Sequence, residues 1–516
     1  MHLVSHIRSP RRFALLAACL ALLIPLSGCV TQFLPSEPER TSQPTDENVS
    51  MELEPYYSQV LVWSKCEGTF QCATATAPLD WSNPARDSIH LALIRSVATA
   101  SRLGSLLVNP GGPGGSGYDF IRDSLSDAVS SRLSQRYDIV GFDPRGVNKS
   151  SAISCYDDPS QMDSFLYDLS PNPVASDAWI GDLEKSNADF GQACLKHSGE
   201  LLGYVDTESA AHDLDLLRAI LGDTKLNYLG YSYGTFLGAT YAELYPGKTG
   251  HLVLDGAIDP ATSDFDVTAT QAKGFESAAR AYLTDCLTGS DCPFRGSADQ
   301  SMTRIRTLLQ RLDASPLRAS DGRMLGSAAM FNAIILPLYS QSNWRYLNDL
   351  FTDVMQGNAD YAFQLADGYY GRNMDGTYQN NSTEAFIAIN CLDYISTSTR
   401  DTLRAQAAEL AKLAPTFGPQ MSYGGTSCAE WPFPGTRVRG SITAAGSAPI
   451  LVVGTTNDPA TPYQWAVNLA GELQNGHLVT YHGEGHTAYN KSNSCVNDAV
   501  DNFFINDTVP ATDPDC

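Results

Sequence analysis

The sequence predicts an α/β fold: a mostly parallel sheet with helices on both faces and a mainly helical insertion. Three observations predict it. Short apolar strand runs alternate with helical spacing as far as residue 260. At 226–242 a strand-like run, a sharp glycine-flanked turn and a small-residue helix follow one another. Between 261 and 440 strand alternation stops and helical patterns replace it, before strand runs return at 448.

The chain is 516 residues long and 43% hydrophobic, enough for one large domain with an insertion or for two domains. Residues 1–28 read as a processing segment. Arg8, Arg11 and Arg12 precede an apolar run, Phe13 to Leu26, too short to span a membrane as a mature helix. The run ends Leu26-Ser-Gly-Cys29, which resembles the bacterial lipobox, so Cys29 is expected to become the lipidated first residue. A plain secretory signal is the alternative. Residues 29–54, rich in Pro, Ser, Thr and Glu from 31 onward, read as a disordered tether.

Residues 55–260 open with two antiparallel strands, Gly68 to Ala77 and Ile89 to Val97. A buried strand, Ser105 to Asn109, runs into the glycine loop 110–117. That loop lacks the lysine of a phosphate loop and the acidic partner of a dinucleotide site. It suits an oxyanion loop, in which backbone N–H groups approach a reacting carbonyl unobstructed by side chains. Tyr137 to Phe142 is the next strand, and 155–205 is a polar, disulfide-tied excursion. Glu208 to Leu221 has helical spacing and leads into the strand at Leu226, with another short strand at His251 to Asp255. Residues 261–440 read as a helical lid, with helices such as Ala269–Leu287 and Met302–Leu312 and many aromatics, Tyr339, Tyr369 and Tyr370 among them. Residues 441–516 resume the sheet with Ala448 to Val453 and His477 to Tyr481.

Net charge is −23, nearer −26 without the three arginines of the first 28 residues, which carry no acids. This argues against nucleic acid or anionic lipid as a partner. Of twelve cysteines, ten remain once Cys19 and Cys29 are set aside, and an exported protein is expected to pair them. The simplest pairing is sequential: Cys66–Cys72, Cys155–Cys194, Cys286–Cys292, Cys391–Cys428 and Cys495–Cys516. A metal site is the alternative, but there is no Cys-x-x-Cys and no cysteine beside a histidine, so no metal or other cofactor is expected.

The turn at 230–234 is Gly-Tyr-Ser-Tyr-Gly, a nucleophile-elbow pattern in its required strand–turn–helix setting. Ser232 is its serine. The strand Ile450–Val453 leads to Asp458, and the following strand leads to Gly483-Glu-Gly-His486. The order is therefore Ser232, Asp458, His486. Serine needs an imidazole to take its proton, and the imidazole needs a carboxylate to set its tautomer. Asp255 and Asp259 also follow a strand and are alternative acids. His482 and His486 have helical metal spacing, but Gly483 and Gly485 disfavour a helix there. Thr461 is expected to cap the Asp458 loop or to orient the acid.

Taken together, Asn109-Pro-Gly-Gly-Pro-Gly-Gly-Ser-Gly117, Asp143-Pro-Arg-Gly146, Gly230-Tyr-Ser-Tyr-Gly-Thr235, Asp255-Gly-Ala-Ile-Asp-Pro260, Ile389-Asn-Cys-Leu-Asp393, Asp458-Pro-Ala-Thr-Pro462 and Gly483-Glu-Gly-His486 carry a resemblance. The chain resembles α/β-hydrolases of the tripeptidyl aminopeptidase branch of the prolyl aminopeptidase (S33) family, including secreted actinobacterial members. Asn148 departs from the glycine usual there, but asparagine tolerates left-handed backbone. The resemblance implies an α/β-hydrolase fold and a serine exopeptidase that releases short units, tripeptides above all, from free N-termini of peptides. It implies oxyanion donors at the backbone N–H groups of Gly112 and Tyr233. It also implies a lid carboxylate, Asp393, for the substrate's α-ammonium. A carboxylesterase or lipase with the same triad is the alternative, because the triad does not choose between ester and amide. A non-catalytic peptide-binding lipoprotein is the third reading. The expected location is the outer face of a bacterial membrane, held by the Cys29 lipid or shed from it.

Overall fold

Runs of Val, Leu and Ile form the centre of one ten-stranded sheet. A computed structural model describes residues 40–395, 399–433 and 435–516. The expected signal segment 1–28, Cys29 and the expected tether as far as residue 39 lie outside the described residues. In chain order the strands are β1 (Arg40–Thr41), β2 (Val62–Cys66), β3 (Phe70–Pro78), β4 (Ser88–Ser96), β5 (Gly104–Asn109), β6 (Tyr137–Phe142), β7 (Leu226–Tyr231), β8 (Thr249–Asp255), β9 (Ile450–Asn457) and β10 (Gly476–Glu484). In space they run β1-β2-β3-β4-β6-β5-β7-β8-β9-β10. Pairing is antiparallel from β1 to β4 and from β4 to β6. From β6 to β10 every pair is parallel.

Parallel strands covered on both faces must be apolar on both faces. β5 and β6 are buried along their whole length. Leu106 and Val108 join the core on one face, with Ile139, Leu229 and Val253. Leu107, between them, joins the core on the other, with Val140, Tyr228 and Leu254. This is the period of two that a strand imposes. The early helices are α1 (Gly117–Ala128), α2 (Asp177–Ser198), α3 (Thr207–Ile220) and α4 (Tyr233–Leu244). The excursion expected to be polar is tied by Cys155–Cys194 and contains the long helix α2, whose Phe190 is fully buried.

The helices of the insertion are α5 (Asp264–Cys286), α6 (Ala298–Ala314), α7 (Ser327–Leu338), α8 (Trp344–Met355), α9 (Asp360–Tyr370), α10 (Ser382–Asp393) and α11 (Arg400–Leu413). A short hairpin, Leu317–Arg318 with Met324–Leu325, interrupts them. Helices α5 to α9 share their own apolar core around Tyr282, Met302, Leu347, Phe351 and Phe363. Helix α10 does not join it: Ala385, Ala388, Ile389 and Cys391 pack into the core beneath the sheet. The chain closes with α12 (Tyr463–Glu472) and α13 (Ser494–Asn506).

The ten cysteines form the five sequential disulfides. The expected disordered tether is corrected from residue 40 onward. Arg40 and Thr41 pair with Trp63 and Val62 as the edge strand β1. Glu47 takes ion pairs from Arg218 at 2.5 Å and Lys248 at 2.6 Å. The Arg218 side chain is 0% exposed, and a buried guanidinium demands paired charge. The segment is thus held by backbone pairing, by the charge Glu47 supplies, and by Val49 and Leu53 packed against the core. Among the described residues no helix is long and apolar enough to cross a membrane.

Candidate active site

β7 must turn into α4 within one residue, and that residue is Ser232. Its backbone has φ +54° and ψ −122°, a conformation side chains rarely adopt and one that stores about 1–3 kcal/mol of strain. The flanking glycines make room. A Cβ on Gly230 would lie 2.4 Å from the Gly234 carbonyl oxygen, and one on Gly234 would lie 2.8 Å from Asn109 Oδ1. The turn is locked from outside. Ser232 N–H donates to the Asp255 carbonyl at 2.9 Å, and the Thr235 hydroxyl donates to the Ser232 carbonyl at 2.6 Å.

The loop after β5 lies against this elbow. Asn109 Oδ1 accepts the Gly111 N–H at 2.9 Å and bends the chain. A Cβ on Gly111 would stand 2.8 Å from Ser232 Cβ and 3.1 Å from the Tyr233 nitrogen. Among the described residues, neither the Gly112 N–H nor the Tyr233 N–H donates to a protein acceptor. Tyr233 opens α4, where amides lack an intrahelical partner. Two such amides beside a serine can stabilise an oxyanion.

Asp458 and His486 meet at the ends of β9 and β10. His486 Nδ1 lies 2.9 Å from both Asp458 oxygens. The carboxylate only accepts, so Nδ1 carries the proton and Nε2 keeps its lone pair. Asp458 also accepts the N–H groups of Ala460, Thr461 and Thr487 and the Thr461 hydroxyl. Thr461 therefore both caps the loop and touches the pair, with its hydroxyl 3.2 Å from His486 Nδ1. Among the described residues no hydrogen bond joins Ser232 Oγ to His486. Free hydrolases commonly tighten this contact only with substrate. The two side chains reach one corner through the end of β8: Ser232 N–H is on the Asp255 carbonyl, and a Cβ on Gly256 would be 3.2 Å from His486 Cε1.

The alternative acids do other work. Asp255 accepts the N–H groups of Ala488 and Tyr489, and burial pushes its carboxyl up to about 6. Asp259 accepts the Ala261 N–H and the Asn468 amide. Neither touches the imidazole. His482 lies within β10 beside Asp515, away from the pair.

Asp393, expected at the substrate amine, is 2% exposed and is bonded within the protein. It accepts the Thr207 N–H at 2.9 Å and the Thr207 hydroxyl at 2.5 Å. Burial pushes its carboxyl up to about 6. Asn148 keeps the turn as expected, with φ +43°, and its amide donates to Ser116 and Asp119.

Sequence reasoning missed Tyr339 as a site residue. Its carbonyl accepts the His486 N–H at 2.8 Å, and its ring meets the imidazole edge-on with centroids 5.3 Å apart. It was visible only as one aromatic among many in the insertion. Arg439 was also missed. Its guanidinium is 3.9 Å from the Phe236 ring centre and 4.4 Å from that of Tyr394, and it lowers the Asp393 carboxyl against the effect of burial.

Comparison with known proteins identifies the family. A family model described as TAP-like protein matches residues 414–516. Tripeptidyl aminopeptidase of Streptomyces lividans is 29% identical over 468 residues, covering 88% of this chain and 86% of its own. Carboxylesterase B of Mycobacterium tuberculosis is 37% identical over 454 residues, covering 87% and 86%. Serine protease Hip1 of Mycobacterium tuberculosis is 35% identical over 489 residues, covering 90% and 92%. With identity at that level across nearly the whole of both chains, this chain belongs to the TAP-like α/β-hydrolases, the family of serine protease Hip1.

Proposed function

We propose that the protein is a serine exopeptidase releasing short units, tripeptides above all, from free peptide N-termini. The observation that carries the reading is the Asp458–His486 pair together with a strained Ser232 flanked by the Gly112 and Tyr233 N–H groups, which have no acceptor among the described residues. The names of its relatives, a serine protease and a tripeptidyl aminopeptidase, support the choice of substrate. His486 Nε2 removes the Ser232 proton as Oγ attacks the scissile carbonyl. The oxyanion is held by the N–H groups of Gly112 and Tyr233. His486 then gives the proton to the leaving amine, which departs with the C–N bond, and water repeats the sequence to free the acid and regenerate Ser232. Asp458 stabilises the imidazolium throughout.

The test is a panel of aminoacyl, dipeptidyl and tripeptidyl fluorogenic amides, each with a free and an acetylated N-terminus, beside short and long acyl esters. Acetylation removes the α-ammonium charge and adds bulk. The kcat/KM for amides is expected to fall at least a hundredfold on acetylation, because a site that selects free N-termini rejects a substrate without the charge and with added bulk. If acetylated peptides are cleaved as well as free ones, the exopeptidase reading fails. The carboxylesterase relative supports a second reading, and a preference for esters over every amide would put it first.

We also propose, from the lipobox-like Leu26-Ser-Gly-Cys29, that lipid on Cys29 holds the enzyme on the outer face of the membrane. A Cys29→Ser strain is expected to release soluble enzyme or accumulate precursor. Normal membrane retention of that variant would count against the anchor.

A further inference from the structure

Asp393 is buried, charged and spoken for, yet no step of the reaction above uses it. Its hydrogen bonds lead to the site. Thr207 is the first residue of α3, and its N–H and hydroxyl both go to Asp393. The Thr207 oxygen is also 2.5 Å from the Tyr233 hydroxyl. Thr207 has one hydroxyl proton, and the carboxylate takes it, so Tyr233 must donate to Thr207. All three residues are buried. The chain therefore runs in one direction, from the Tyr233 phenol through Thr207 to Asp393. It begins on Tyr233, the residue whose backbone amide follows Ser232 at the start of α4.

Asp393 is the last residue of α10, and the other end of α10 reaches the loop of the second donor. Gly114 sits so close to the first turn of α10 that a Cβ there would be 2.7 Å from the Ser382 carbonyl oxygen and 2.9 Å from the Phe386 nitrogen. Asn381, just before α10, donates to the carbonyls of Gly146 and Ile153 and accepts the Asn148 N–H at 2.8 Å. Asn148 in turn donates to Ser116, at the end of the glycine loop, at 3.0 Å. Cys391–Cys428 pins the helix between these ends. One helix of the insertion thus touches the glycine loop that carries Gly112 and, through two hydroxyls, the residue that carries the other amide. Its apolar face belongs to the core beneath the sheet and not to that of the other insertion helices.

We infer that α10 sets the spacing of the two oxyanion donors, and that Asp393 is a positioning residue acting on Tyr233 through Thr207. The inference rests on the oxyanion reading above. Replacing Asp393 by Asn reverses the chain. The amide nitrogen donates to Thr207, Thr207 donates to Tyr233, and the Tyr233 hydroxyl loses its acceptor in a buried place. The phenol, and the first turn of α4 with it, is then free to shift. A misplacement on the order of 1 Å near reacting atoms can cost about a hundredfold in rate.

The test compares Asp393→Asn, Thr207→Val, Thr207→Ser, Tyr233→Phe and Ser232→Ala on a free-amine tripeptidyl amide and on a short acyl ester without an amine. Thermal melting of each variant is recorded alongside. The first two variants and Tyr233→Phe are expected to lower kcat on both substrates by about ten- to a hundredfold, with KM little changed. Thr207→Ser, which keeps the hydroxyl, is expected to restore most of the rate that Thr207→Val loses. A rise in KM confined to the free-amine peptide in Asp393→Asn, with the ester spared, would overturn the inference and return Asp393 to the substrate amine. Wild-type kcat in folded Tyr233→Phe and Thr207→Val would overturn it as well. Those two variants decide the matter if Asp393→Asn does not fold. Turnover surviving in Ser232→Ala would instead sink the reading of the site itself.

Discussion

Asp255 ends β8 and Asp458 directly follows β9, the neighbouring parallel strand, and both are buried. Both also accept backbone N–H groups from the loop that carries His486: Ala488 and Tyr489 on Asp255, Thr487 on Asp458. Only Asp458 meets the imidazole. Asp255 shapes the loop, and Asp458 receives the side chain that the shaped loop presents. A buried carboxylate at a strand end is therefore not a triad acid by position alone. What separates the two is the direction in which the β10 loop turns the ring, and Tyr339, from the insertion, helps to set that by accepting the His486 N–H.

The comparison breaks most visibly at the reacting groups. Ser232→Ala and His486→Ala are each expected to cost on the order of 10⁶ in kcat, measured on the best amide substrate. Asp458→Asn is expected to cost about 10⁴, because the imidazole loses the partner that sets its tautomer. Asp255→Asn is expected to keep kcat within about tenfold, since Asn Oδ1 can still accept from the loop. Should Asp255→Asn prove the more damaging of the two, the division of labour is reversed and the acid is misassigned.

The smallest expected effect sharpens the comparison through pH. Folding raises the Asp255 carboxyl from 3.8 to about 6, through burial first and despite the N–H groups that oppose it. The neutral form is the one that folding favours. The associated stability is complete below about pH 4 and is lost as pH rises through about 6. Wild-type Tm is thus expected to fall relative to Asp255→Asn between those values. Asp143 and Asp393, also pushed up to about 6, are common to both proteins and drop out of the difference. A Tm difference that stays flat across this window would mean that folding does not raise the Asp255 carboxyl.

Features whose cause is local were legible in the sequence. The elbow needs two glycines and a serine between a strand and a helix, all within a few residues, and it forms there with Ser232 at positive φ. The strand Tyr137–Phe142 begins and ends where its apolar run does. The disulfides follow sequence order, so counting cysteines was enough to propose their pairs. The N-terminal strap was not legible, because Pro-, Ser- and Glu-rich sequence reads as solvated chain. Only the buried Arg218, some 170 residues away, shows why Glu47 stays ordered.

By itself the sequence determined the α/β alternation, the place of Ser232, and the two loops in which an acid and a base had to lie. These depend on the period of apolar residues and on which residue types can occupy a strained turn. Only the tertiary structure showed that Asp458 and not Asp255 meets the His486 imidazole, that Asp393 bonds Thr207, and that Tyr339 packs against His486. Each of those outcomes depends on which way a side chain points after elements distant in sequence have packed. A carboxylate's role follows from the donors that surround it, and here those donors come from other segments of the chain.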